Sequence, residues 1–214
     1  MVSKLKVPSK IFSHPQYISN RVNAQLFEYI EGFRNHLALL KNSQSFFLLK
    51  KAIIFLKALN KNNHTILFIN TNPKLSFLTK KTASRLMQPY SNEYWIPGLL
   101  TNWLQFQPSI QSFHYCEQYF GQFLKEKKMV FPKYIKQRKK LEGLAPLKNL
   151  PSALVLFQLE GNESILKESQ LLNIPVVAFT DCTKSTKNID YPIPVNPEFF
   201  PLIYFFCSLL CKAN

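Results

Sequence analysis

The hydrophobic residues of this chain gather in short runs that predict buried β-strands. In the clearest run, four apolar residues follow one another between Thr65 and Asn70. Strands buried on both faces of a parallel sheet have this pattern, whereas strands with one wet face alternate apolar and polar residues. We predict six strands, at residues 36–40, 65–70, 93–95, 153–159, 175–179 and 191–194.

Between these runs, apolar residues recur at the spacing of a helix. After Ser43, which is expected to cap a helix, apolar residues return every three or four positions, with lysines between them. Residues 74–87, 163–172 and 197–212 predict further helices, each placed after a strand. Repeated strand–helix units imply a parallel sheet covered by helices on both faces. The predicted fold class is therefore α/β.

Two parts of the chain break this alternation. Residues 1–35 are basic and interrupted by prolines, which predicts an extended basic N-terminal arm. Residues 103–149 are aromatic and basic, with lysines on both sides of Pro132, and predict an inserted helical hairpin. The α/β core is then divided between residues 36–102 and residues 150–214.

The charge of the chain indicates a polyanionic partner. The net charge is +15, and it is unevenly distributed, because residues 1–150 carry 23 basic and 6 acidic residues whereas residues 151–214 carry 4 and 6. So large an excess favours binding to nucleic acid or to an acidic membrane surface. The membrane alternative needs a helix divided cleanly into polar and apolar sides, which the predicted hairpin lacks.

The chain lacks the motifs of nucleotide-binding enzymes. It has 5 glycines in 214 residues, and no glycine-rich phosphate loop follows the strand that ends at Asn70. An enzyme of the same fold could use Asp181 and Asp190 as paired carboxylates. The alternative, which we favour, is that Asp181 caps a turn and Asp190 lies in a loop.

No cofactor, metal or small-molecule substrate is expected. The four cysteines lie in a chain without a recognisable signal peptide, so disulfides are not expected. Cys207 and Cys211 are four residues apart, but no histidine lies near them in sequence to complete a zinc site. No apolar run reaches the length of a membrane span.

Basic residues interspersed with aromatic ones predict RNA binding. Lysine and arginine neutralise phosphates, and exposed aromatic rings stack on unpaired bases. Across residues 101–150, 9 basic residues face only 3 acidic ones, so pairing along a helix cannot neutralise them. By charge and position, the candidate RNA-binding residues are Lys4, Lys6, Lys10, Arg21, Arg34, Lys74, Lys80, Lys81, Arg85, Lys133, Lys136, Arg138, Lys139 and Lys140.

Four segments resemble, in order, the motifs of one family. Residues 23–35 contain N-x-x-L-x-x-Y-I-x-G-x-R-N, residues 66–71 read I-L-F-I-N-T, and residues 95–103 read W-I-P-G-L-L-T-N-W. Residues 167–196 contain K-E, then L-N-I-P-V-V-A, then an aspartate, and finally I-D-Y-P-I-P. Together they resemble the family of small ribosomal subunit protein two.

The resemblance implies a flavodoxin-like, three-layer α/β/α core with an inserted helical hairpin. It also implies binding to small-subunit rRNA between head and body, contacts with neighbouring small-subunit proteins, and no catalysis. Thr101 and Asn102, inside the family's W-x-G-G-x-L-T-N-W motif, become candidates to contact RNA. Trp95 and Gly98 of the same motif are expected to shape the turn instead.

The chain also departs from the family pattern. Tyr94 and Pro97 stand where the family has Arg and the first Gly of its pair, and Val195 replaces the Gly before asparagine. Val22 stands in place of a family Trp, and the hairpin matches only in position and charge. This drift, with 19 Phe and few glycines as in AT-rich genes, predicts a mitochondrial ribosome and an organelle-encoded chain.

Overall fold

The chain forms a five-stranded parallel sheet between helices, with a small antiparallel sheet beside it. A computed structural model describes residues 16–19, 24–126, 138, 140–181, 185–196 and 199–212. The strands, in chain order, are β1 Tyr17–Ser19, β2 Ile30–Arg34, β3 Leu37–Leu40, β4 Ile66–Asn70, β5 Tyr90–Asn92, β6 Ala153–Leu156, β7 Val176–Thr180 and β8 Tyr191–Pro194. The helices are α1 Asn42–Lys61, α2 Ser76–Leu86, α3 Trp103–Glu126, α4 Glu163–Leu171 and α5 Phe200–Cys211, with 3-10 turns at Ala24–Tyr29, Pro73–Leu75 and Glu142–Leu144.

The large sheet has the strand order β5-β4-β6-β7-β8, and every neighbouring pair is parallel. β4, the first strand of this sheet along the chain, therefore lies between β5 and β6, the second and the third, which is the order of flavodoxin-like folds. All residues of β4, β6 and β7 are buried, as their continuous apolar runs predicted. The α/β fold class and its flavodoxin-like arrangement are confirmed.

Each face of the sheet has its own apolar core. On one face, Phe68 and Val155 pack with α1, α2 and α5, and the rings of Phe157, Phe179 and Phe206 follow one another with centroids 5.9 Å and 5.1 Å apart. On the other face, alternate residues of the same strands pack with α4 and the beginning of α3. Alternation of side chains along each strand thus builds the three layers.

The small sheet has the order β1-β3-β2 and is antiparallel. Asn35 and His36 form its tight turn, with φ of 51° and 60°, values that two-residue hairpins require. Asn196, just after β8, donates its side-chain amide to the carbonyl of Tyr17 at 2.7 Å. This bond fastens the small sheet to the end of the large one.

Several predicted elements are placed differently by the structure. The strand predicted at 36–40 exists as β3, but it belongs to the small antiparallel sheet. Ser43 does not cap α1, since the helix begins at Asn42 after Lys41, and Lys41 makes no side-chain capping bond. The strand predicted at 93–95 lies at Tyr90–Asn92 instead, and Glu93 turns away from it with φ of 67°.

The other predicted elements are found with small differences at their ends. The strand at 191–194 coincides with β8, whereas the strand at 153–159 ends at Leu156 and the helix predicted from 197 begins at Phe200. α3 is the first helix of the predicted hairpin, but residues 127–137 and 139 lie outside the described residues. The hairpin and the division of the chain at residues 35, 102 and 149 stay predictions.

Within the described residues, no helix combines the length and the apolar character needed to cross a membrane. The most apolar helix, α5, has 12 residues, which is far short of the ~20 needed to span a bilayer. Its apolar character is explained by packing, because Leu202, Ile203 and Phe206 are fully or almost fully buried against the sheet.

The 3-10 turn Glu142–Leu144 packs closely against β5 at Gly143. A Cβ placed there would overlap the backbone carbonyl and the ring of Tyr90 in β5. Gly143→Ala should therefore lower the free energy of unfolding by about 1–3 kcal/mol, because the backbone or the ring must move. Urea denaturation of the two proteins would measure the difference.

Gly32→Ala is the matched control, since a Cβ on Gly32 meets nothing within 4 Å. It should leave the free energy of unfolding unchanged or raise it by up to about 1 kcal/mol. Equal destabilisation by the two substitutions would contradict the close approach at Tyr90.

Candidate nucleic-acid interface

The exposed face of α2 and the turn just before it carry four of the nine described candidate residues. Asn72 leads into it, and its side-chain oxygen accepts a hydrogen bond from the backbone amide of Lys74 at 3.0 Å. The hydroxyls of Thr79 and Thr82 donate to backbone carbonyls on the buried side of the helix. The opposite side of α2 is thereby turned to solvent and carries the exposed residues Lys80, Lys81 and Arg85, and Lys74 is exposed in the 3-10 turn just before the helix.

The four cations of this face have different surroundings. Lys80 forms an ion pair with Glu142 at 2.8 Å, and this hydrogen bond is the main reason that the pKa of Lys80 is raised. The ammonium groups of Lys74 and Lys81 lie 5.8 Å and 5.7 Å from the ring centroids of Phe200 and Phe77. Lys80 is thus compensated by a carboxylate, whereas the charges of Lys74 and Lys81 adjoin aromatic rings.

Thr101 and Asn102 are exposed in the turn that leads into α3. The backbone amide of Asn102 donates to the carbonyl of Gly98 at 2.8 Å, and Gly98 has a φ of +81°, a conformation that favours glycine. The hydroxyl of Thr101 also donates to the carbonyl of Gly98, at 3.4 Å, so this exposed side chain lies against the turn.

The conformation of this turn is set by Glu168, a buried carboxylate on α4 with 6% of its surface exposed. One of its oxygens accepts hydrogen bonds from the indole of Trp95 at 3.1 Å and the amide of Gly98 at 2.8 Å. The other oxygen accepts from the amide of Leu100 at 3.0 Å. Trp95 and Gly98 therefore have the architectural position that was expected of them, through a residue that sequence reasoning left without a role.

The other described candidates do not join the α2 face. Arg34 is exposed at the end of β2, in the small sheet. The guanidinium of Arg138 lies 3.2 Å from the carboxylate of Glu117 on α3, so part of its charge is directed at the protein itself. Lys140 is half-buried. Lys4, Lys6, Lys10, Arg21, Lys133, Lys136 and Lys139 lie outside the described residues.

The candidate RNA-binding residues did not include the lysines of α1. This helix and its first flanking residue contain five lysines: Lys41, Lys50, Lys51, Lys57 and Lys61. From residue 41 to residue 92 the chain has 9 basic residues and no acidic one. This run without acids was the available signal. Because α1 and α2 cover the same face of the sheet, that layer carries basic residues and no acidic one along both helices.

The crevice at the carboxyl ends of the strands is differently built. In a phosphate loop, backbone amides point at the ligand. Here the amide of Asn72 donates to the side chain of Asn70 at 3.0 Å, and the side-chain amide of Asn70 donates back to the carbonyl of Asn72 at 2.9 Å. The donors of this turn are occupied within the turn itself.

The paired-carboxylate alternative is contradicted by the positions of the two aspartates. Asp181 follows the carboxyl end of β7. Asp190 lies beside the other end, where its carboxylate accepts a hydrogen bond from the amide of Val176 at 2.8 Å. A strand of this length separates them by about 16 Å, so they cannot share a substrate as an acid–base pair.

Comparison with known proteins identifies the family of this chain. The sequence profile of the family described as Ribosomal protein S2 matches residues 12–214. The chain belongs to the ribosomal protein S2 family. The resemblance drawn from four sequence segments is confirmed, and two of those segments, at 95–103 and 167–196, are the ones that Glu168 joins.

Named relatives cover most of the chain. Small ribosomal subunit protein uS2m of Marchantia polymorpha is 30% identical over 99% of this chain and 92% of its own length. Protein uS2 of Ehrlichia ruminantium (strain Gardel) is 30% identical over 92% of this chain and 71% of its own. Protein uS2c of Phaeodactylum tricornutum is 31% identical over 87% of this chain and 84% of its own length. The S2 family is one of structural, non-enzymatic proteins of the small ribosomal subunit.

The Glu168 carboxylate should be essential for the S2 fold. Glu168→Ala leaves three donors without their acceptor, and each buried donor left unpaired costs about 1–3 kcal/mol. We expect the free energy of unfolding to fall by about 3 kcal/mol or more, and the fluorescence of Trp95 to shift to longer wavelength as water reaches the indole. Chemical denaturation followed by tryptophan fluorescence measures both.

Lys167→Ala is the control, because Lys167 is the exposed neighbour of Glu168 on the same helix. It should change the free energy of unfolding by less than about 0.5 kcal/mol. If Glu168→Ala behaved like this control, the carboxylate would not be the anchor of the 95–102 turn.

Proposed function

We propose that this chain is a structural constituent of the small subunit of a mitochondrial ribosome, where it binds small-subunit rRNA at the junction of head and body. Membership of the S2 family supports the ribosomal part of the proposal. The basic residues of α1 and α2 support the RNA part, because 9 basic residues and no acidic one between residues 41 and 92 favour a polyanionic partner.

The mitochondrial setting is supported by two observations. The mitochondrial relative from Marchantia polymorpha matches 99% of this chain. The composition, with 19 Phe and 5 Gly, is typical of AT-rich genes and supports a chain encoded in the organelle. Bacterial and chloroplast relatives are about equally identical, so the organelle needs a direct test.

The proposed mode of binding is recognition of phosphates and RNA shape rather than of base sequence. Lys81 and Arg85 would contact phosphates from α2, and Lys74 from the 3-10 turn before it. Thr101 and Asn102 would contact the RNA from the turn that Glu168 holds. Lys80 and Arg138 contribute less in this scheme, since Glu142 and Glu117 already lie beside them. Arg34, Lys140 and the candidates outside the described residues complete the proposed interface.

The direct test is sedimentation of the tagged chain from lysates of purified mitochondria and of purified plastids. We expect it to migrate with the mitochondrial small subunit, to resist moderate salt, and to leave that position after ribonuclease treatment. Free protein at the top of the gradient would overturn the ribosomal proposal, and migration with the plastid subunit would overturn the mitochondrial one.

Substitutions of Lys74 and Lys80 form a matched pair that tests the proposed contacts with phosphates. Removal of one cation that binds a phosphate should reduce the slope of log affinity against log salt by about 0.7–0.9. We expect that reduction for Lys74→Gln, measured by filter binding to a small-subunit rRNA transcript at several salt concentrations. Lys80→Gln should change the slope less, because Glu142 compensates its charge. Equal slopes for the two variants and the unmodified chain would exclude this face from the interface.

A further inference from the structure

A groove between α2 and α5 combines exposed aromatic rings with cations. It is open to solvent, has a volume of about 170 Å³, and its lining includes Phe77, Lys81, Arg85, Tyr204, Ser208 and Cys211. Phe77 is 72% exposed and Tyr204 is 52% exposed. Large rings at such exposure are not used by the core, so this lining is available for a partner.

The groove carries two cations, Lys81 and Arg85. Neither α2 nor α5 contains an acidic residue. Among the described residues, no ion pair involves Lys81 or Arg85. The ammonium of Lys81 lies 5.7 Å from the ring centroid of Phe77, so a cation and an exposed ring occupy the same end of the groove.

The α2 side of the groove is a straight row of side chains. Phe77, Lys81 and Arg85 follow at intervals of four residues, which places them on one face of the helix. The row is about 12 Å long at the rise of an α-helix. Tyr204 and Ser208 repeat the same four-residue interval on α5. The two helices thus form opposite walls of one channel.

We propose that this groove is a stacking site for unpaired nucleotides of single-stranded RNA. Exposed rings offer a face on which any base can stack, and adjacent cations hold the phosphates on either side. A peptide-binding groove would instead be depleted of charge at its centre. The inference rests on the proposed RNA-binding function, to which it adds a site for unpaired bases distinct from simple phosphate neutralisation.

The test compares binding of a twelve-nucleotide oligouridine with binding of a twelve-base-pair RNA duplex. The variant Phe77→Ala/Tyr204→Ala should bind the oligouridine at least about fivefold more weakly, because the bases can no longer stack on an aromatic ring. Its affinity for the duplex should be unchanged, because paired bases cannot stack there. Its salt dependence should also be unchanged, because the cations that bind the phosphates are all retained.

The basic residues should show the complementary behaviour. Lys81→Gln and Arg85→Gln should each reduce the salt slope for the oligouridine by about 0.7. Leu171→Ala is the control for removal of an exposed apolar side chain, since Leu171 is 74% exposed on α4. It should bind both RNAs like the unmodified chain. If the double aromatic variant has a lowered melting temperature, Phe77→Leu keeps the apolar volume, removes the ring, and should still weaken oligouridine binding.

Two outcomes would overturn the inference. One is unchanged oligouridine binding by the aromatic variants while Lys81→Gln and Arg85→Gln weaken it, which would make the groove an electrostatic surface only. The other is photocrosslinking of a probe at position 204 to a protein instead of rRNA in the assembled subunit. In both cases sedimentation of the unmodified chain still tests the ribosomal function separately, so failure of the stacking site is distinguishable from failure of the proposed function.

Discussion

A buried carboxylate with all its partners in one turn is the constraint on which the rest of this molecule depends. An ionised side chain inside a protein is stable only when hydrogen bonds replace the water that surrounded it. Glu168 obtains them from an indole and two backbone amides, about 70 residues away in sequence. Because a single conformation of the 95–102 turn can supply all three, the carboxylate fixes where α3 begins, and it connects the two halves of the sheet across the insertion.

The two helical layers differ in the charge of their outer surfaces. The layer of α1, α2 and α5 packs an apolar face on the sheet and turns lysines, arginines and rings outward, with no acidic residue along these helices. The opposite layer contains Glu163 and Glu168 on α4. Flavodoxin-like folds usually bind ligands in the crevice at the strand ends. Here the asparagines of that crevice satisfy one another, and the charge lies on the outside of one layer, where an extended polyanion can reach it.

Much of the fold could be predicted from the sequence because burial leaves a local pattern. The continuous apolar runs of β4, β6 and β7 and the prolines of β8 were sufficient to locate these strands. β5 was misplaced by three residues because Tyr90–Asn92 is short and mostly polar, and only its register with β4 defines it. The prediction that Ser43 caps α1 was wrong, because a suitable residue type does not ensure the capping geometry.

Of the candidate site, the charge and the architectural position of Trp95 and Gly98 could be predicted from the sequence. Which cations are compensated depends on pairing between distant residues, such as Lys80 with Glu142, 62 positions apart. The same holds for the presence of Phe77 and Tyr204 in the lining of one groove. Sequence distance also orders events in time. Asn196 binds Gln16 and Tyr17, which are synthesised 180 and 179 residues earlier. During translation β1 can pair with β3 as soon as Leu40 has been made, but the bond that joins the small sheet to the large one has to wait for Asn196.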